Sequence, residues 1–196
     1  MLNSEEDINY NGYRKINFGD NFETLQLLYP DVIEDEIYKK NAEDFKKTHN
    51  TSYNEKRRFS LNYDNIFRYF YFRNNKLVNV EVIYNNLCIL KAEALFNKLT
   101  KYFGKFDRIG YVELDNEFLG ITFYVNIVSD KLKIIIKIWD IKDFYGKCTH
   151  RTIKCHYNDR NAFELSLFSY YEYMDIETLK NTLSINMVEE YDKIEI

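Results

Sequence analysis

The chain has 196 residues, 45% of them hydrophobic and 30% charged, with a formal net charge of −4. That length suits one domain, or two small halves fused through a shared sheet, and the acidic balance argues against nucleic acid drawn in by the whole-chain field. No apolar run approaches the roughly 18 residues that cross a bilayer; the strongest, KLKIIIKIW, is short and broken by lysines, so no membrane association is expected.

The N-terminus, MLNSEEDINYNGYRK, lacks an apolar h-region and reads as cytoplasmic rather than secreted. A short strand is expected over 13–18, ending at Gly19. Asp20 or Asn21 then caps a helix in which Phe22, Leu25 and Leu28 share a face. Pro30 suits the first turn of a second helix. Asp31, Glu34, Asp35 and Glu36 would lie near its positive end, and Val32, Ile33, Ile37 and Phe45 would form its apolar stripe. THNTSYNEKRR (48–58) has no periodicity and reads as a loop.

Two aromatic or β-branched runs around Asn74-Asn75-Lys76 predict a β-hairpin. KAEALFNKLTKYFGK predicts an amphipathic helix with Ala92, Leu95, Phe96, Leu99 and Phe103 inward and Gly104 as its stop. A second hairpin turns at Ser129-Asp130-Lys131. A third is expected to join CTHRTIKCHY to AFELSLFSYYEY through NDRN, followed by a short helix over 176–183.

This order predicts an α+β fold: a mainly antiparallel sheet of sequential hairpins with helices packed on one face. The chain reads as a single domain, with a degenerate repeat dividing it into 13–90 and 91–175 and placing RNNKLVNVEV and VSDKLKIIIKI in equivalent positions. KINFGDNFETLQLL followed by a hairpin resembles the helix-plus-hairpin unit of small outer-membrane-assembly lipoproteins and β-lactamase inhibitor proteins, over 13–84 and less well over 91–139. Those proteins have a glycine after the first helix, where this chain has Tyr29-Pro30. The resemblance implies a scaffold for binding other proteins, with no catalytic residue to carry over.

KCTHRTIKCHY gathers rare residues. Strand alternation would put Cys148, His150 and His156 on one face and Cys155 on the other. Eight residues of strand, about 26 Å at ~3.3 Å per residue, separate Cys148 from His156, too far for one ion. No metal and no cofactor are expected, and the odd count of three cysteines argues against a disulfide framework. Glu113, Asp115 and Glu117 could gather Mg²⁺ if they share a strand face, which leaves a metal-dependent hydrolase as one alternative. No P-loop, GxSxG or HExxH occurs.

The sheet's two faces carry the rest. Phe70, Phe72, Val78, Val80, Val82, Leu119, Ile121, Phe123, Leu132, Ile134, Ile136, Phe163, Leu165 and Leu167 are assigned to the core. The alternate set includes Tyr69, Tyr71, Arg73, Tyr124, Asn126, Lys133, Lys137 and Trp139, with Phe168 and Tyr170 nearby. Tyr, Trp and Arg are enriched at binding hot spots. The partner-binding candidates are therefore Tyr69, Tyr71, Arg73, Tyr124, Lys133, Lys137 and Trp139, unless 48–60 or the C-terminal helix covers them. The expected function is non-enzymatic binding of another protein, of toxin or effector class, by an immunity or inhibitor type of protein. Stacking of single-stranded nucleic acid on the same face is the alternative. The acidic run Asp31 to Glu36 could also dock a basic partner.

Overall fold

The computed structural model describes residues 8–40, 44, 56–63, 65–113, 119–142, 145 and 147–161. In chain order the strands are β1 (Gly12–Tyr13), β2 (Ile16–Asn17), β3 (Ile33–Glu34), β4 (Lys56–Tyr63), β5 (Ile66–Arg73), β6 (Lys76–Cys88), β7 (Asp107–Glu113), β8 (Leu119–Ile127), β9 (Leu132–Lys142) and β10 (Cys148–Asp159). Helix α1 (Phe22–Leu28) precedes β3, and α2 (Ile89–Phe103) follows β6. Strands β3 to β10 form one eight-stranded sheet, ordered β3-β4-β5-β6-β10-β9-β8-β7, antiparallel at every pairing. The fold is α+β, as the hairpin pattern predicts.

The order describes two four-stranded meanders whose last strands, β6 and β10, meet in the middle. By place in the sheet β6 is matched by β10, whereas sequence similarity equates it with β9. Both edges of β10 are occupied, by β6 and by β9, across 150–158. No edge of β10 is left for the expected third hairpin; its second arm, with Phe163, Leu165, Leu167, Phe168 and Tyr170, and the helix over 176–183 lie outside the described residues.

One face of the sheet, the first face, carries α1 and α2. Asn21 caps α1, its side chain accepting a hydrogen bond from the Thr24 N–H at 2.9 Å. Leu25 is fully buried, and the Phe22 ring stacks on Phe59 of β4 at 4.2 Å. Helix α2 lies over β6 and β10 and buries Ala92 and Leu99. It stops at Gly104, whose φ of 83° disfavours any residue with a Cβ. Asn126 of β8 donates to the Phe103 carbonyl at 2.6 Å, satisfying a group that helix geometry leaves unpaired. Asn74 and Asn75 both adopt positive φ, as a two-residue hairpin turn matched to strand twist requires.

The structure departs from expectation at the N-terminal side. Residues 13–18 are not one strand but part of the β1–β2 hairpin, because the chain reverses at Arg14, whose φ is 52°. The second helix starts at 36 rather than at Pro30, with β3 between them and the Asp35 carboxylate capping the Tyr38 N–H at 2.9 Å. Val32 is buried, but Ile33 and Ile37 are exposed; Phe45 lies outside the described residues. Residues 56–58, expected in a loop, begin β4.

Two arginines of β4 hold β3 from opposite faces. Arg57 pairs with Glu34 through two hydrogen bonds of 2.7 and 2.9 Å, and Arg58 Nε donates to Asp35 at 2.9 Å. The hydrogen-bonded Arg57 guanidinium holds the Glu34 carboxyl below its ordinary 4.5. Burial alone would raise Asp35, but the Tyr38 N–H and Arg58 outweigh it and hold the carboxyl below 3.8. Carboxyls depressed in the folded state add stability above their ordinary values, and that stability is lost as pH falls through the folded ones. Urea melts are therefore expected to show stability falling below about pH 4.5, by roughly 0.5–1 kcal/mol per pair. An Arg57→Met, Arg58→Met variant that loses stability just as steeply over that window would place the acid sensitivity elsewhere.

Candidate interface on the second face of the sheet

Cross-strand register builds this face row by row. One row runs Tyr71, Asn79, Asn158, Lys133 across β5, β6, β10 and β9. The next runs Tyr69, Glu81, His156, Ile135, Val125, reaching β8. A third runs Phe67, Ile83, Lys154, Lys137, Phe123, and beyond it Thr152 faces Trp139. Six of the expected residues thus share one face: Tyr69, Tyr71 and Arg73 on β5, and Lys133, Lys137 and Trp139 on β9. They do not form one patch. Two strands lie between the groups, so β5 and β9 are about 14 Å apart at ~4.8 Å per strand.

Polar residues outside the expected partner-binding set occupy the gap. The Glu81 carboxylate meets Lys154 Nζ at 3.1 Å on one oxygen. Its other oxygen accepts from the Tyr71 hydroxyl at 3.5 Å and lies 3.6 Å from His156 Nδ1. Asn79 donates to the Asn158 side chain at 2.6 Å, and Asn158 donates to the His156 carbonyl at 3.2 Å. His156 is 1% exposed, Asn158 0% and Glu81 8%, so these contacts sit away from bulk water, where each unpaired group would be costly.

The flanks are half-buried and aromatic. Arg58 lies 4.8 Å from the Tyr38 ring centroid and 5.0 Å from that of Tyr69, and Tyr38 meets Tyr71 edge-on at 5.8 Å. Residues 36–40 thus cover part of β5 from the second face. At the other flank Lys154 Nζ sits 5.9 Å from the Trp139 ring. Lys133 is buried and belongs to the centre rather than the flanks.

Placements on β8, Asn126 among them, and at Val78 differ from expectation. Tyr124 faces α2, its ring 4.8 Å from that of Phe96. Ile121 and Phe123 consequently face the second side, as does Val125, which is fully buried there. Val78 falls at the bulge between the pairs Tyr71–Asn79 and Phe72–Leu77 and is only partly buried. The side chains of Leu119 and Glu113, and residues Asp115 and Glu117, lie outside what the structure describes.

The cysteine and histidine stretch does not converge. A register shift between Cys148 and His150 turns Cys148 away from the His150 face, to within 3.5 Å of Asp140. Burial, then the Asp140 carboxylate, pushes the Cys148 thiol up. Cys155 faces the helices, and burial pushes it up to about 12. Neither thiol is primed as a nucleophile. Among the described residues no three His, Cys, Asp or Glu side chains form a metal-ligand group.

A cleft of about 270 Å³ opens under α2, lined by Phe96, Tyr124, Ile138 and Ile153 with Glu93 and Arg151. Arg151 donates to Asp140 at 2.7 Å, so its charge is compensated within the fold. The acidic run is likewise engaged internally, since Glu34 and Asp35 hold Arg57 and Arg58. Among the described residues no helix is long and apolar enough to cross a membrane. Comparison with protein-family models, curated proteins and solved structures gives no match.

Proposed function

We propose that this chain is a non-catalytic protein of the inhibitor or immunity type that binds another protein through the flanks of the sheet's second face. Tyr69, Tyr71 and Arg73 would supply contacts on one side, and Lys137 and Trp139 on the other. The observation that carries this reading is the half-buried aromatic and cationic flanks around a buried, polar centre. Side chains seated on strands whose neighbours are fixed by Glu81, His156 and Lys154 lose little freedom on binding. Large rings with adjacent cations supply the interactions that dominate interface energies. Lys133 takes a supporting role here, and Tyr124 none. The inhibitor class is named because the helix-plus-hairpin order resembles inhibitor scaffolds.

Nucleic-acid stacking finds less support on the same face. Glu81 neutralises Lys154, and Asp35 neutralises Arg58, which weakens attraction to phosphates.

Trp139→Ala and Arg73→Ala test the proposal. Each is expected to weaken partner capture by more than about 1 kcal/mol while leaving the melting temperature within a few degrees of wild type. Leu90→Ala, at an exposed position on α2, should leave capture unchanged. Capture that survives both face variants, or that nuclease abolishes, contradicts the proposal.

A further inference from the structure

Arg68 presents a different problem, on the helix-bearing face and independent of the proposed interface. It occupies a core position of β5, opposite Leu61 and Val82, and is 8% exposed. Its hydrogen bonds are long and go to neutral acceptors: Nε to the Tyr13 hydroxyl at 3.3 Å and Nη1 to the Ile66 carbonyl at 3.5 Å. Among the described residues no carboxylate comes within 4.0 Å of it. Four other cations of the sheet are treated differently, since Arg57, Arg58, Arg151 and Lys154 each meet an acid. A buried guanidinium always keeps its charge, so a missing counter-ion is a standing cost.

Two tyrosines share the helix-bearing face with Arg68. Tyr84, diagonal to it across the β5–β6 ladder, makes no hydrogen bond among the described residues and is only partly buried. Burial pushes the Tyr84 phenol well above its ordinary value, which keeps it an O–H donor at any working pH. Tyr13 contributes a second hydroxyl, its ring 4.9 Å from Tyr157. The Arg14 guanidinium lies 5.7 Å from the Tyr13 ring.

We infer that Arg68, with the hydroxyls of Tyr13 and Tyr84 and the charge of Arg14, binds a small tetrahedral oxyanion, as a phosphate group. The guanidinium fork offers paired N–H donors, and the two phenols add donors from other directions. Three terminal oxygens of a phosphate can use such a set, whereas a carboxylate presents only two. The ligand supplies the counter-charge that no carboxylate among the described residues supplies.

Thermal melts in sodium phosphate, with sodium chloride holding ionic strength constant, test this. The wild-type midpoint is expected to rise with the logarithm of phosphate concentration, by roughly 2–4 °C once phosphate reaches about five times its dissociation constant. Phosphate also stabilises proteins generally by exclusion from their surface, but that effect grows in proportion to concentration and is indifferent to one side chain. Arg68→Met, which keeps the bulk and removes the charge, should abolish the logarithmic rise, and Tyr84→Phe should weaken phosphate binding several-fold. Should Arg68→Met not fold, Arg68→Lys replaces it, with the rise reduced because the fork is lost. A parallel titration with glycerol 3-phosphate separates the sources: tighter binding than inorganic phosphate identifies a phosphorylated small molecule, and weaker binding the free ion. A wild-type response no greater than that of Arg68→Met overturns the inference.

Discussion

Phe59→Ala is expected to lower the free energy of unfolding by about 3–5 kcal/mol, the largest effect of any single truncation considered. Phe59 is fully buried on β4. Its ring stacks on Phe22 at 4.2 Å, meets Phe72 edge-on at 5.4 Å, and lies under the Arg57 guanidinium at 4.9 Å. Truncation removes the apolar transfer energy and also leaves a cavity that α1 and β5, each fixed by other contacts, cannot fill. Arg57 would lose a ring to lie on, although its bonds to Glu34 remain. Leu27→Ala is the matched control, since Leu27 is 83% exposed and should change stability by less than about 0.5 kcal/mol. Urea titrations with unchanged m-values check both. A loss below about 1 kcal/mol for Phe59→Ala would show that α1 is not docked on β4.

Glu81→Ala should cost about 2–4 kcal/mol, because it leaves Lys154 facing a dry sheet centre without its carboxylate. The lysine side chain keeps 24% of its exposure, so part of its charge can still reach water. The pair as a unit is a different matter. Replacing both groups with apolar residues of similar volume, Glu81→Leu with Lys154→Met, removes the need for compensation and should recover most of the loss. Strong non-additivity in that cycle is the expected signature of a shared network. Additive losses would mean that Glu81 and Lys154 act independently, and the centre would then not be a preorganised unit.

Alternation makes the helix-bearing face legible wherever one set of positions is clearly the more apolar. Phe70 and Phe72 on β5, and Leu132, Ile134 and Ile136 on β9, follow that rule and are all buried there. Strand β8 reverses it. Ile121, Phe123 and Val125 are more apolar than Thr122, Tyr124 and Asn126, yet the polar set faces α2. The reason is local: Asn126 caps the helix end and Tyr124 stacks on Phe96. Strand β4 hides for a related reason. KRRFSLNY looks solvated, but Arg57 and Arg58 lay their guanidinium groups over aromatic rings and pair with β3.

The candidate face was half legible. Tyr69, Tyr71, Arg73, Lys133, Lys137 and Trp139 follow from period-two spacing alone. What lies between them does not, because it depends on which strands are neighbours. The return of β10 to the middle of the sheet pairs His156 with Glu81 and Asn158 with Asn79. The available signal was the matching polar alternation of Asn79 and Glu81 in one apolar strand and of Lys154, His156 and Asn158 in another. Two such strands bury their polar positions together only if they are adjacent.

Covalent footprinting of the chain alone and in its captured complex tests the protein-binding proposal most directly. Side-chain oxidation read by mass spectrometry reports the accessibility of each ring. The account predicts that Trp139 and Tyr69 lose reactivity in the complex, while exposed Tyr63 and Tyr145, at 70% and 90% exposure, keep theirs. Protection confined to Tyr63, Tyr145 or the surface of α2, with Trp139 and Tyr69 unchanged, would contradict it.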